Sequence, residues 1–137
     1  ACIPSVGPLQ AARVSSSFGL RRDPFTGRLA LHNGLDLVAP VGTAVRATAT
    51  GQVTRAGRYA GYGLLVEIDH HNGLITRYAH NALIAVRPGQ VVRRGQVVGR
   101  VGQSGRASAP HVHYEVLLHG KPVNPEPYIL AEYTRAD

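Results

Sequence analysis

The sequence predicts an all-β, mainly antiparallel protein, and three observations carry that prediction. Short runs rich in Val, Ile, Thr and Tyr are broken by sixteen glycines and nine prolines. No stretch keeps a helical period. His71-Asn72-Gly73 sits between the runs 64–70 and 74–80, and Asn-Gly between two such runs is a strong hairpin signal. At 137 residues with 44% hydrophobic content, the chain can bury one sizeable core and is short for two ordinary domains.

Residues 1–13 carry two prolines and little periodicity, and they read as a leader or linker. Order is expected from Val14, with 14–137 as one domain. Cys2 is the only cysteine, which excludes an intramolecular disulfide and a cysteine-rich metal site. The Ala1-Cys2 pair admits a lipoprotein processing site as an alternative to an ordinary terminal cysteine. Apolar runs such as 63–66 and 114–118 fall far below the ~20 residues needed to cross a bilayer. No basic segment precedes an apolar one at the start, so a signal peptide is absent from this chain or already removed. The stretches 42–53 and 89–98 share a Gly-Gln-Val signature, Gly51-Gln52-Val53 and Gly95-Gln96-Val97. Each reads as a strand, a tight turn and a returning strand, and the likeness admits either a duplicated unit or chance.

Fourteen arginines and one lysine against eight acids give a formal charge of +7, which predicts attraction to a polyanion such as nucleic acid or an anionic cell wall. The arginines are scattered, with only Arg21-Arg22 and Arg93-Arg94 adjacent, and two phenylalanines without tryptophan offer little for base stacking. A nucleic-acid partner is therefore disfavoured.

Seven histidines include two short patterns, His32-Asn33-Gly34-Leu35-Asp36 and His111-Val112-His113. Residues two apart in a strand share a face, which would set His111 and His113 side by side about 7 Å apart at Cα. A straight strand would hold His32 and Asp36 roughly 13 Å apart, too far to share an ion. The chain must bend at Asn33-Gly34, two residues that tolerate positive φ. Two imidazoles and one carboxylate form a typical catalytic zinc set, with the fourth position open. Taken alone, a His-x-His in a strand is more often a surface pair than a ligand pair. Asp36 within Gly-Leu-Asp-Leu-Val is harder to dismiss, because a carboxylate in a buried strand needs a partner.

The series Ser16-Ser17-Phe18-Gly19-Leu20-Arg21, His32-Asn-Gly-Leu-Asp36, Gly42-Thr-Ala-Val45, Tyr78-Ala-His80, Gly95-Gln-Val-Val-Gly99 and Pro110-His-Val-His-Tyr-Glu115 resembles the lysostaphin and LytM-type metallopeptidases of peptidase family M23. The likeness runs in order over residues 15–128. It implies a twisted antiparallel sheet with a second small sheet, forming a groove floored by the metal. It also implies Zn2+ held by His32, Asp36 and His113, with His80 and His111 catalytic but not ligands. The implied activity is hydrolysis of peptide cross-links in bacterial peptidoglycan, in the periplasm or extracellular cell envelope, with stem peptides as partner. An upstream regulatory domain or an envelope protein is a further possible partner. Arg21-Arg-Asp-Pro-Phe-Thr-Gly27 resembles the members that cut D-Ala-diaminopimelate links more than those that cut glycine bridges. Asn81 stands where the family often has leucine, and Ser108-Ala109 replaces a commoner Thr-Gly. A metal-free relative that binds and activates cell-wall amidases is the alternative, disfavoured because every metal and catalytic histidine is kept. A cupin-like metal enzyme fails on spacing, since Glu115 follows His113 too soon.

Residues of less definite role complete the reading. His70, His71 and His119 are expected to decorate turns. Glu115 is a candidate acceptor for an imidazole. Tyr59, Tyr62, Tyr78 and Tyr114 either line a groove or pack in the core. Arg55, Arg58 and Arg77 either meet acidic groups of a stem peptide or form a solvated face.

Overall fold

The computed structural model describes residues 2–10, 13–22, 25–105, 107, 109–129 and 134–135, with the backbone alone for Arg21, Thr134 and Arg135. Asp23, Pro24 and Ser108, which figure in the motifs above, lie outside the described residues. The strands in chain order are β1 (Arg13–Ser16), β2 (Gly19–Arg22), β3 (Leu29–His32), β4 (Leu35–Val38), β5 (Ala44–Arg46), β6 (Gly51–Tyr59) and β7 (Gly63–Asp69). They continue as β8 (Leu74–Ile84), β9 (Val91–Val92), β10 (Val97–Val101), β11 (His111–Leu118), β12 (Lys121–Val123) and β13 (Thr134–Arg135), with one 3-10 turn at Glu126–Tyr128. Among the described residues no helix is long and apolar enough to cross a membrane.

The predicted all-β class is what forms. Eleven strands make one sheet along the path β13-β1-β4-β11-β8-β7-β6-β9, with β10 against β8 and β5, and β12 against β11; β2 and β3 form the small second sheet. Among the described residues every strand pairing is antiparallel except β1 with β13. The hairpin at 70–73 joins β7 to β8 as expected, with Gly73 at φ 86° and the Asn72 carboxamide oxygen accepting from the Leu74 N–H at 3.1 Å.

The period of two along the central strands sorts the side chains into two sets. Leu35 and Leu37, Val112, Tyr114 and Val116, Tyr78, and Val66 and Ile68 all belong to one buried apolar cluster. Their alternate neighbours Asp36, His113, Glu115, Arg77 and Glu67 stand on the other face. A slip of one residue would exchange the two sets, so the pattern itself holds the register that pairs His113 with Asp36 and Tyr114 with Leu35.

Two polar devices sit within this packing. The Tyr78 and Tyr114 rings, fully buried and 5.4 Å apart, are core and not groove lining. Their hydroxyls meet Thr48 Oγ1 at 3.1 and 2.8 Å, and Thr76 Oγ1 is 2.8 Å from Tyr78. His70 is not a turn decoration. It is 2% exposed, with Nδ1 2.8 Å from the Thr50 carbonyl and Nε2 2.8 Å from Thr76 Oγ1. Its hydrophobic neighbours alone would have left this imidazole costly to bury; the hydroxyl chain satisfies it. His71 and His119 do lie at the surface in left-handed turns, at φ 60° and 51°.

The segment expected to be a leader packs against the sheet over residues 2–10. Leu9 is 1% exposed within the core, the Pro8 carbonyl accepts from the Arg46 N–H at 2.8 Å, and the Ile3 carbonyl accepts from Arg94 at 2.9 Å. The two prolines hid this from the sequence, because they erase strand periodicity while leaving carbonyls free to accept. The two similar stretches, 42–53 and 89–98, lie against each other: the Ala47 N–H donates to Gln96, the Gly95 N–H donates to Ala47, and β10 pairs with β5.

Candidate metal centre and active site

Three strands deliver the central groups. His32 ends β3, Asp36 lies in β4, and His113 lies in β11 opposite Asp36. The expected bend between His32 and Asp36 exists, since β3 stops at His32 and β4 begins at Leu35 in a different sheet. Its cause differs from the expected one. Neither Asn33 nor Gly34 has positive φ. Gly34 is needed for space: a Cβ there would collide with the Tyr114 carbonyl and reach 3.0 Å from both Glu115 Cγ and the His113 ring. The bend is thus pressed directly onto β11.

His32, Asp36 and His113 each offer a ligand atom, all within 4.8 Å of one another, and they form the group among the described residues that could hold a metal ion. Asp36 Oδ1 lies 2.8 Å from His113 Nδ1 and 3.2 Å from His32 Nε2, which are themselves 3.3 Å apart. The outer nitrogens explain why these atoms face inward. His32 Nδ1 is 2.8 Å from the Ser17 carbonyl, and His113 Nε2 is 2.8 Å from Glu115 Oε2. Each outer nitrogen meets an acceptor and so carries the hydrogen, leaving the inner nitrogen as a lone pair. Two lone pairs and a carboxylate then converge, an arrangement that repels itself unless a cation, proton or metal, sits among them. The residues fit a metal of the zinc type.

The electrostatics agree. With protons and not a metal on the inner nitrogens, burial pushes the Asp36 carboxyl up, but hydrogen bonds from His113 and His32 outweigh it and hold the group well below the usual carboxylate range. Burial lowers the His113 pKa, but Asp36 and Glu115 on its two nitrogens overcome this and raise it to about 9. The pair competes for positive charge.

His80 and His111 stand beside this cluster with ring centroids 4.9 Å apart, and His80 is 6.1 Å from the His113 ring. Both are anchored in the same way, through Nδ1: His80 to the Ser104 carbonyl at 2.6 Å and His111 to the Ala109 carbonyl at 2.7 Å. Among the described residues Nε2 makes no hydrogen bond in either ring, and that of His111 lies 3.7 Å from Asp36 Oδ1. His80 has φ 65°, a left-handed conformation that costs a non-glycine residue of order 1 kcal/mol or more. Asn81 holds it there, donating to the Tyr78 and Leu64 carbonyls at 2.9 and 3.0 Å while its own carbonyl accepts from Ser104 Oγ at 2.6 Å. Asn81 is 1% exposed, so the departure from leucine serves backbone geometry. Burial, with smaller repulsion from His111 and His113, lowers the His80 pKa to about 4 against the raising effect of the Ser104 carbonyl.

All five residues singled out in the sequence therefore meet in one place. Sequence reasoning missed Ser17, Ser104 and Ala109, which act through backbone carbonyls and leave no side-chain signature. It singled out Glu115 without a contact; the contact is present. Arg77 turns inward to Glu67 and Glu115, and Arg55 leans on Glu67 at 3.5 Å, so neither forms a simple solvated face. Tyr62 lies at the site, its ring centroid 6.2 Å from His113.

An antiparallel sheet that gathers two imidazoles and a carboxylate, with two further imidazoles alongside, carries a candidate metal site. Peptidase family M23 is the family to which the chain belongs: its model matches residues 30–125. The chain is 46% identical over 135 residues to the DD-carboxypeptidase/endopeptidase Mpg of Neisseria meningitidis, covering 97% of this chain and 31% of that protein. It is 44% identical over 113 residues to the peptidoglycan DD-endopeptidase ShyA of Vibrio cholerae, covering 82% of this chain and 26% of that protein. A solved zinc-containing peptidase from Vibrio cholerae superposes with a TM-score of 0.80 at 34% identity, over 96% of this chain and 41% of that one. The chain thus spans about a third or less of the length of its curated relatives.

Proposed function

We propose that this chain is the catalytic domain of a zinc metalloendopeptidase that hydrolyses peptide cross-links in bacterial peptidoglycan, as a D,D-endopeptidase on D-Ala-diaminopimelate bonds. The observation that carries the proposal is the convergence of His32, Asp36 and His113 beside the free Nε2 atoms of His80 and His111. His32 Nε2, an Asp36 oxygen and His113 Nδ1 would hold the ion. A zinc ion bound there would supply Lewis acidity to polarise a peptide carbonyl and to make water a nucleophile near neutral pH.

The chain's own residues do the rest. His80 and His111 present lone pairs to the groove because their Nδ1 hydrogens are committed to carbonyls. Either can take a proton from the attacking water and return it, as an imidazolium, to the leaving amine. A protonated Nε2 also donates to the oxyanion that develops on the carbonyl oxygen. The low pKa of His80 keeps it neutral, hence an acceptor, throughout the neutral range. The D,D bond preference is supported by the names of the similar Neisseria and Vibrio proteins and by the Arg21–Gly27 stretch of the sequence. A place in the periplasm or extracellular envelope, and a regulatory domain or envelope protein as partner, belong to the same proposal.

The test is mass spectrometry of directly linked and glycine-bridged muropeptide dimers incubated with zinc-loaded protein, with a chelated control and with His113→Ala. Conversion of the directly linked dimer to monomers, dependent on metal and His113, is the expected result. Zinc binding without cleavage of either substrate would overturn the catalytic reading and favour an amidase-activating relative.

A further inference from the structure

The chemistry above leaves unused a row of charge that begins beside His113. Cross-strand register sets Glu115 opposite Arg77, Arg77 opposite Glu67 and Glu67 opposite Arg55. Four side chains of alternating sign therefore cross β11, β8, β7 and β6 on the face that carries the metal cluster. Arg77 Nε donates to Glu67 Oε2 at 2.6 Å and Arg77 Nη1 to Glu115 Oε1 at 3.3 Å. Thr54 Oγ1 adds a bond to Glu67 Oε1 at 2.9 Å. Side-chain exposure is 3% for Glu115, 8% for Glu67, 22% for Arg77 and 48% for Arg55, so the row runs from buried interior to solvent.

Buried carboxylates tolerate no missing partner, and removing one from such a row leaves a charge uncompensated. Glu115 divides its two oxygens. Oε2 takes the His113 Nε2 hydrogen at 2.8 Å, Oε1 accepts from Arg77 Nη1, and the Tyr62 hydroxyl bridges the two oxygens at 3.1 and 3.2 Å. The Tyr62 hydroxyl in turn accepts from Arg77 Nη1 at 3.3 Å, so the three groups brace one another. On the remaining side Gly34 offers no side chain to displace Glu115. A carboxylate held on both sides can turn neither its plane nor the imidazole that it grips.

We propose that Arg77 and Tyr62 are positioning residues for the metal centre: by clamping Glu115 they fix the His113 ring and aim its Nδ1 at the ion. The inference rests on the zinc-site reading above. Outer partners of metal-ligating imidazoles commonly change metal affinity about 10–100-fold when removed, because a free ring must be ordered at each binding event.

The experiment uses the 137-residue chain. Zinc affinity is measured by competition with a chromophoric chelator for the wild type, Arg77→Met, Arg77→Lys and Tyr62→Phe. In the zinc-loaded proteins, NMR follows the His113 Nε2 hydrogen and its exchange with solvent. The expected result is zinc binding about 10–100-fold weaker in Arg77→Met, with faster exchange of that hydrogen, and partial recovery in Arg77→Lys. Tyr62→Phe keeps the ring and every ion pair, so it decides the matter if Arg77→Met fails to fold, and a smaller shift in the same two readouts is expected. Folded variants with wild-type zinc affinity would overturn the clamp, as would weaker binding with an unchanged His113 Nε2 signal. Wild-type protein that binds no zinc would instead overturn the zinc-site reading itself.

Discussion

The two faces of the central sheet bury polar groups in opposite ways. Towards the core, Thr48, Thr76, Tyr78, Tyr114 and His70 join through neutral hydroxyls and carbonyls, each 2.8–3.1 Å from its partner. On the opposite face, Asp36, His113, Glu115, Arg77 and Glu67 join through charge. A neutral chain satisfies its donors and acceptors and asks nothing more. The charged row does not close at its inner end, where lone pairs from two imidazoles meet a carboxylate. One sheet thus keeps a neutral hydrogen-bonded chain on one face and a candidate metal site on the other, separated only by the alternation of side chains along each strand.

Substitutions should separate the faces by what they damage. Asp36→Ala is expected to have the largest effect, removing an anion from the cluster and abolishing both zinc retention and cross-link hydrolysis, beyond the ~100-fold typical of an outer partner. Metal analysis and muropeptide digestion check both. His80→Ala or His111→Ala should lower kcat about 10²–10⁴-fold with zinc content unchanged, since each acts on protons and not on the ion. Loss of zinc in either variant would merge the two groups of histidines that the geometry keeps apart.

Tyr78→Phe should do the reverse, costing about 1–3 kcal/mol of stability in urea denaturation by taking the acceptor from the buried Thr48 N–H, which donates to the Tyr78 hydroxyl at 3.0 Å, with activity of the folded fraction retained. The smallest effect is on the pH dependence of stability. Burial lowers the His70 pKa from 6.5, so the unfolded chain binds its proton more readily than the folded one. The stabilisation is complete above about pH 6.5 and is lost as pH falls towards the depressed folded value. His70→Gln should flatten that part of the profile, measured as the denaturation midpoint between neutral and mildly acidic pH.

The chemistry was more legible in the sequence than the packing. His32, Asp36, His80, His111 and His113 could be named because ligating and proton-transferring side chains sit in short fixed spacings. The alternation of a strand is enough to put His111 and His113 on one face. What escaped has physical reasons. Ser17, Ser104 and Ala109 orient imidazoles through carbonyls, which every residue possesses. Gly34 was read as a hinge, whereas its function is to admit β11, a tertiary contact that no local pattern reports. Residues 2–10 looked like a linker because prolines carry no strand period, yet Leu9 fills the core. His70 looks like a turn residue because its partners, Thr50 just before β6 and Thr76 in β8, are brought to it only by the folded sheet.

The most direct test of the metal centre is an anomalous difference map at the zinc absorption edge from crystals of the zinc-loaded protein. The account predicts one strong peak about 2.0–2.2 Å from His32 Nε2, an Asp36 oxygen and His113 Nδ1, with His80 and His111 outside bonding distance. A peak bonded to His113 Nε2 or to His80, or none within the cluster, would contradict it.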